Sequence, residues 1–260
     1  MTDFVTVGDG CRIAYRFDGL ADGPILLLSN SLGTTMDMWA PQIAVLAEHF
    51  RVLRYDSRGH GRSDAPLGAY SMDRLGRDVI EMLDALSISA VSFCGLSKGG
   101  MVGQWLGVRA PERLQRLVLA NTSPFMGPPS AWDARIATIR AAGMSAIAET
   151  VVERWFTLGF RATNATTVSA IIDTLKVTDA QGYAGCCAAI RDMDMRHFLS
   201  LIATPTLVIG GSEDPATPPD HAELLARSIP SALLRMLPAA HLSNIEQPKA
   251  FGEFLLTYLK

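Results

Sequence analysis

Gly95-Leu96-Ser97-Lys98-Gly99 has the form G-x-S-x-G and is the segment of this sequence best suited to covalent chemistry. A serine hydroxyl is a weak nucleophile until a base takes its proton. The pattern alone recurs by chance, so its flanks decide. An apolar run over 91–94 precedes it and a helical pattern over 100–109 follows. Ser97 then falls on a strand-to-helix turn that pushes its hydroxyl outward. Gly95, Gly99 and Gly100 leave room for that turn. The adjoining helix N-terminus favours developing negative charge. The plainer alternative is a glycine-rich helix start with an N-cap serine.

A nucleophilic serine needs a base and a carboxylate to orient it. Five histidines are available. His49 ends a helical pattern and His221 begins one, so both are expected at the surface. His60, in a loop after a strand, reads as structural, and His197 closes a helical stretch. His241 follows the last apolar run by four residues, in a loop that shares a sheet edge with Ser97 if the strands run parallel. Asp214, in Gly210-Gly211-Ser212-Glu213-Asp214-Pro215, lies at that same edge; Glu213 is its rival, and the tight Asp-Pro turn favours Asp214. An oxyanion needs two backbone donors. One is expected from the N–H of Lys98. The other is expected from Leu32 in Ser29-Asn30-Ser31-Leu32-Gly33, with the Leu32 side chain as a pocket wall.

Something must bring these residues together. Residues 4–7 and 12–17 flank Gly8-Asp9-Gly10 and read as an antiparallel hairpin. Apolar runs at 25–29, 51–55, 90–94 and 114–120 then alternate with helical patterns at 38–46, 71–86 and 99–109. Such alternation implies a parallel sheet buried on both faces, with the hairpin as its antiparallel edge. From 127 to 197 no buried strand is legible, and helices are expected at 131–142, 145–156, 165–175 and 180–190. Strands return at 206–210 and 232–237, with helices at 221–228 and 248–259. The economical division is an α/β core of residues 1–126 and 198–260, with a helical insertion of 127–197 between the sixth and seventh strands. Gly127-Pro128-Pro129 marks its start. The insertion would sit over the carboxyl ends of the strands, where open α/β sheets bind ligands.

Composition narrows the classes. The 260 residues are 48% hydrophobic and 19% charged, enough apolar content for one large core. A net charge of −3 offers no basic excess for a phosphate backbone, so no nucleic acid is expected as a partner. No apolar run approaches the roughly 18 residues of a membrane helix. Met1-Thr2-Asp3-Phe4 lacks the basic start and apolar stretch of a signal peptide. Cys11, Cys94, Cys186 and Cys187 form no C-x-x-C pair and no metal-ligand spacing. Reduced thiols and a cytoplasmic location are the expectation.

On these motifs the chain resembles the α/β-hydrolase family over nearly its whole length. The resemblance rests on the Asn30-Ser31-Leu32-Gly33 loop, the Asp56-Ser57-Arg58-Gly59-His60-Gly61-Arg62-Ser63 loop, the serine turn, Asp214 and His241. Within it, the chain is most similar to the 3-oxoadipate enol-lactonases. That narrower likeness rests on Gly95 to Trp105, Glu153-Arg154-Trp155-Phe156-Thr157, Gly182 to Asp192, and His241 to Pro248. It implies a small anionic lactone as substrate, a five-membered enol-lactone ring bearing a carboxymethyl group, hydrolysed without metal or organic cofactor. Ser97 would attack the carbonyl, or His241 would activate water with Ser97 positioning the substrate. The carboxylate needs a cationic partner, and Arg135, Arg154 and Arg191, near Trp132 and Trp155, are the candidates. The competing readings are a carboxylesterase, a cofactor-free perhydrolase or a C–C bond hydrolase on the same residues, and a non-catalytic ligand-binding protein. The oligomeric state is left open.

Overall fold

The computed structural model describes residues 2–260; residue 1, the first of the expected core, lies outside them. Eight strands form one sheet: β1 (Asp3–Thr6), β2 (Arg12–Gly19), β3 (Ile25–Ser29), β4 (Arg51–Tyr55), β5 (Val91–Leu96), β6 (Leu114–Ala120), β7 (Thr206–Gly211) and β8 (Leu233–Leu237). Their order is β1-β2-β4-β3-β5-β6-β7-β8. β1 and β2 pair antiparallel, as does β2 with β4, and every later pairing is parallel. This is the expected α/β architecture with an antiparallel hairpin at its edge.

Three helices follow strands in the first half, α1 (Ala40–Leu46), α2 (Met72–Ala85) and α3 (Lys98–Arg109), then five helices lie between β6 and β7. Those five are α4 (Pro129–Ala142), α5 (Ala148–Glu153), α6 (Leu158–Thr163), α7 (Ala165–Lys176) and α8 (Ala180–Asp192). α9 (Pro219–Ser228), α10 (Ser243–Glu246) and α11 (Pro248–Leu259) complete the chain, with α9 and α11 back on the core. The Ser71 hydroxyl caps α2 by accepting the Arg74 N–H at 3.0 Å. Its apolar stripe, Leu75, Val79, Met82 and Leu83, is buried. β5 and β7 are buried along their whole length, as strands covered on both faces must be.

The expected helix over 145–156 is broken. A 3-10 turn at Met144–Ala146 precedes α5, and α6 forms separately behind a Thr157 cap. Tertiary contact ends α5: Trp155 is buried, and its carbonyl accepts the Leu242 N–H at 3.0 Å. The helix expected from 221 starts at Pro219, because proline suits a first helical position.

The inserted helices are fixed to the core at particular points. Phe125 and Asp194 form an antiparallel bridge that clips the two ends of the insertion together. α8 is held most closely. The backbones of Gly59 and Gly182 touch, so a methyl on either would strike the other chain, and Gly59 sits at φ +75°. The Tyr70 N–H donates to the Gly185 carbonyl at 3.1 Å. α4, α6 and α7 carry most of the insertion's exposed residues.

Candidate active site

Ser97 lies between β5 and α3 at φ +56°, ψ −117°, a conformation non-glycine residues rarely adopt. A side chain on Gly95 would run into the Gly99 carbonyl, and one on Gly99 into the Ser29 carbonyl, so only hydrogen fits at both places. The turn is held by Ser97 N–H donating to the Ala120 carbonyl at 2.9 Å. Thr122 Oγ1 donates to the Ser97 carbonyl at 2.7 Å.

His241 reaches this hydroxyl from the loop after β8, with Nε2 2.9 Å from Ser97 Oγ. Its Nδ1 lies 2.8 Å from Asp214 Oδ2. A carboxylate only accepts, so Nδ1 carries the proton and Nε2 is bare toward serine. Asp214 Oδ2 also accepts from Thr217 Oγ1 at 2.7 Å and from Asn121 Nδ2 at 3.1 Å. Its Oδ1 accepts the N–H groups of Ala216 and Thr217 at 2.8 and 3.0 Å. Burial pushes the Asp214 pKa up, but the His241 charge and these hydrogen bonds outweigh it and hold it down to about 2. All three side chains are buried. Serine, imidazole and carboxylate thus form one continuous hydrogen-bonded chain able to move a proton off the hydroxyl. Glu213, the rival acid, is exposed.

The loop after β3 is pinned from behind. Gly33 N–H donates to His60 Nε2 at 2.9 Å, and His60 Nδ1 lies 3.2 Å from the Arg58 carbonyl. Ser31 N–H faces Met38 Sδ, and Thr34 N–H reaches the Ser31 carbonyl. Leu32 N–H has no protein acceptor among the described residues, and neither does Lys98 N–H. The Asn30 side chain faces away, donating to the Tyr55 carbonyl and accepting from Trp39 Nε1.

Burial, reinforced by the Lys98 charge, holds the His60 pKa down to about 3. Unfolded, the same imidazole titrates near 6.5. As pH falls below that value the unfolded chain takes the proton first, so stability declines until about pH 3. By pH 5 this is worth about 2 kcal/mol. Urea midpoints from pH 7 to pH 5 should therefore fall for the wild type. They should fall less steeply for His60→Gln, which keeps an acceptor for Gly33. Parallel slopes would contradict this.

A cavity of about 360 Å³ opens above Ser97 and His241, between the sheet edge and the insertion. Ser31, Leu32, Trp132, Arg135, Arg154 and Trp155 line it. Arg135 lies over the Trp132 ring, 5.0 Å from its centroid, and has no carboxylate partner among the described residues. Arg154 donates to the Pro215 carbonyl at 2.8 Å. Arg191 is elsewhere: it pairs with Asp133 and Asp192, each at 2.7 Å, and does not line the cavity. Two cavity residues were not singled out from sequence. Tyr183 is fully buried, its hydroxyl has no hydrogen-bond partner among the described residues, and Arg135 lies close enough to oppose the burial that raises its pKa. His221, expected at the surface, forms part of the cavity wall with a buried Nδ1 that has no hydrogen-bond partner among the described residues. Helix α9 begins two residues earlier than the periodicity implied, which puts His221 in its first turn.

Residues 24–248 match the family model of the alpha/beta hydrolase fold. The chain belongs to the α/β-hydrolase family. A curated relative, 3-oxoadipate enol-lactonase 2 of Acinetobacter baylyi, is 43% identical over 258 residues, covering 99% of this chain and 96% of the relative. The crystal structure of the enol-lactonase from Burkholderia xenovorans LB400 superposes with a TM-score of 0.97 at 42% identity, covering 99% of each chain. A hydrolase from Pseudomonas aeruginosa PA01 gives the same TM-score at 49% identity, covering 99% of this chain and 98% of that one. Among the described residues, no helix is long and apolar enough to cross a membrane.

Proposed function

We propose that this protein hydrolyses 3-oxoadipate enol-lactone, or a close anionic enol-lactone, with Ser97 as nucleophile, His241 as general base and Asp214 as its orienting carboxylate. The observation that carries the reading is the Ser97–His241–Asp214 chain set beneath a cavity that also holds Arg135, a guanidinium with no carboxylate partner among the described residues. Relatives named as enol-lactonases support the same substrate.

The reaction proceeds in two halves. Ser97 Oγ bonds to the ring carbonyl carbon while its proton passes to His241 Nε2. The N–H groups of Leu32 and Lys98 receive the oxyanion. Collapse breaks the ring C–O bond, and the departing enolate oxygen takes the proton from His241. The resulting enol tautomerises to a ketone. Water, deprotonated by His241, then attacks the acyl-serine, the proton returns to Ser97 as the C–O bond breaks, and the new carboxylic acid gives its own proton to solvent as the dicarboxylate leaves. Each half uses a neutral imidazole as base, and Asp214 stabilises the imidazolium formed in between.

Arg135 holds the carboxymethyl carboxylate against the Trp132 face, with the Tyr183 hydroxyl as a second donor. Such a pocket favours an anionic lactone over neutral esters. The test is kcat/KM on the enol-lactone and on p-nitrophenyl acetate. The lactone should be preferred by at least about 100-fold, the worth of one or two charge-assisted hydrogen bonds. A reversed preference would identify a carboxylesterase instead.

A further inference from the structure

We infer that Asn121 is a positioning residue for this hydrolysis: its carboxamide holds the Asp214 carboxylate and the His241 loop in one register. The inference rests on the proposed roles of Ser97, His241 and Asp214. Asn121 directly follows β6 and is 1% exposed. Its backbone adopts φ +42°, a region that asparagine and aspartate enter more readily than other side chains. Its N–H donates to the Ile209 carbonyl on β7 at 2.8 Å, and the preceding residue, Ala120, accepts the Ser97 N–H. The residue therefore stands between the serine turn and the strand that delivers the acid.

The side chain makes three buried hydrogen bonds. Nδ2 donates to Asp214 Oδ2 and to the Ala240 carbonyl, both at 3.1 Å. Oδ1 accepts the Ser243 hydroxyl at 2.5 Å. A carboxylate and a carbonyl can only accept, so the amide can face them in one orientation alone. Ser243 supplies the donor that fixes it. One residue thus ties the end of β6, the Asp214 loop after β7 and the loop from His241 to α10. Thr217 steadies Asp214 from within its own loop and approaches His241 Nδ1 at 3.3 Å, and the Glu213 N–H donates to the Ala239 carbonyl, whereas the Asn121 side chain joins Asp214, the Ala240 carbonyl and Ser243 together.

Aspartate at this position keeps the shape and suits the backbone, yet sets a carboxyl group against Asp214 and the Ala240 carbonyl. The added charge favours the His241 imidazolium and leaves less free base at a given pH. The other charged or titratable groups nearby are Glu246, which accepts the Ala240 N–H at 3.0 Å, Arg154 on the Pro215 carbonyl, and His221 in the cavity wall. None of them is altered in the variants below.

The test follows p-nitrophenyl acetate hydrolysis against pH for the wild type, Asn121→Asp and Asn121→Ala, with thermal unfolding in parallel. The ester reports Ser97 reactivity without calling on Arg135. In Asn121→Asp the acid limb should move up by about one pH unit and kcat at pH 7 should fall at least tenfold. In Asn121→Ala kcat should fall about 10- to 100-fold with KM changed less than threefold, since the substrate pocket is untouched. If the alanine variant does not fold, the near-isosteric aspartate variant decides alone. Folded variants with kcat within twofold of the wild type and an unshifted acid limb would overturn the inference, leaving Asn121 a structural residue. A wild type that cleaves the ester but not the lactone would overturn the substrate reading alone; one that cleaves neither would overturn both.

Discussion

Ser97→Ala should lower enol-lactone turnover by about four orders of magnitude or more, with KM little changed. Among the described residues the hydroxyl makes one side-chain hydrogen bond, to His241, so its loss would remove the proposed nucleophile without unsettling the turn. The strained backbone at φ +56° already accommodates a Cβ. Alanine keeps that Cβ, and the unfolding midpoint should stay within a few degrees. The backbone donors and the cavity persist, so some acceleration over bulk water should remain. The measurement is the single-turnover rate of lactone opening with enzyme in excess. A variant that retains turnover within about 100-fold of the wild type would instead assign the reaction to water activated by His241, with Ser97 merely holding the substrate. Mass spectrometry of acid-quenched wild type would separate the two routes, since only the nucleophilic one leaves an acyl group on Ser97.

Arg135→Leu should separate anion recognition from bond cleavage. Leucine retains much of the packing against Trp132 but supplies no charge. A substrate carboxylate brought to that place would lose a charge-assisted hydrogen bond worth about 1.5–3 kcal/mol and face burial without a partner. The kcat/KM for the lactone should drop by about two to three orders of magnitude. Hydrolysis of p-nitrophenyl acetate should change less than threefold. Arg191→Leu is the informative comparison. Its guanidinium is already engaged by Asp133 and Asp192, so its loss should leave lactone kinetics unchanged. Equal losses for both arginines, or a matching loss with the neutral ester, would contradict the assignment of the carboxylate to Arg135.

The sheet was legible because buried parallel strands are continuous apolar runs. The expected limits of β3, β4 and β6 coincide with the observed ones. The serine turn was legible because glycine, serine and flanking periodicity repeat a local geometry. The meeting of Ser97, His241 and Asp214 followed from strand polarity alone, since a parallel sheet sends every carboxyl end to one edge. The insertion resisted the same treatment. Its short helices end where tertiary contacts require it, as Trp155 ends α5, and periodicity carries no record of such contacts. Nor can side-chain type reveal partnering. Arg191 and Arg135 look alike in the sequence, and only three dimensions show that one faces two carboxylates and the other a cavity. Tyr183 and His221 escaped for the complementary reason: each lies in a helical segment whose inward face is set by packing rather than by local pattern. Asn121 gave a fainter sign, an asparagine at the end of a buried strand where an apolar residue would be ordinary.

The touching backbones of Gly59 and Gly182 bear on how such an enzyme can diversify. They make the start of α8 a fixed sill, seated on the loop after β4 and closed to a side chain at Gly182, while α4 forms a roof that contributes Trp132 and Arg135 from above. Changes in the roof can refit the chamber to other ligands without disturbing the serine turn beneath. A side chain grafted at Gly182 would strike the Gly59 backbone and unseat the helix from that loop.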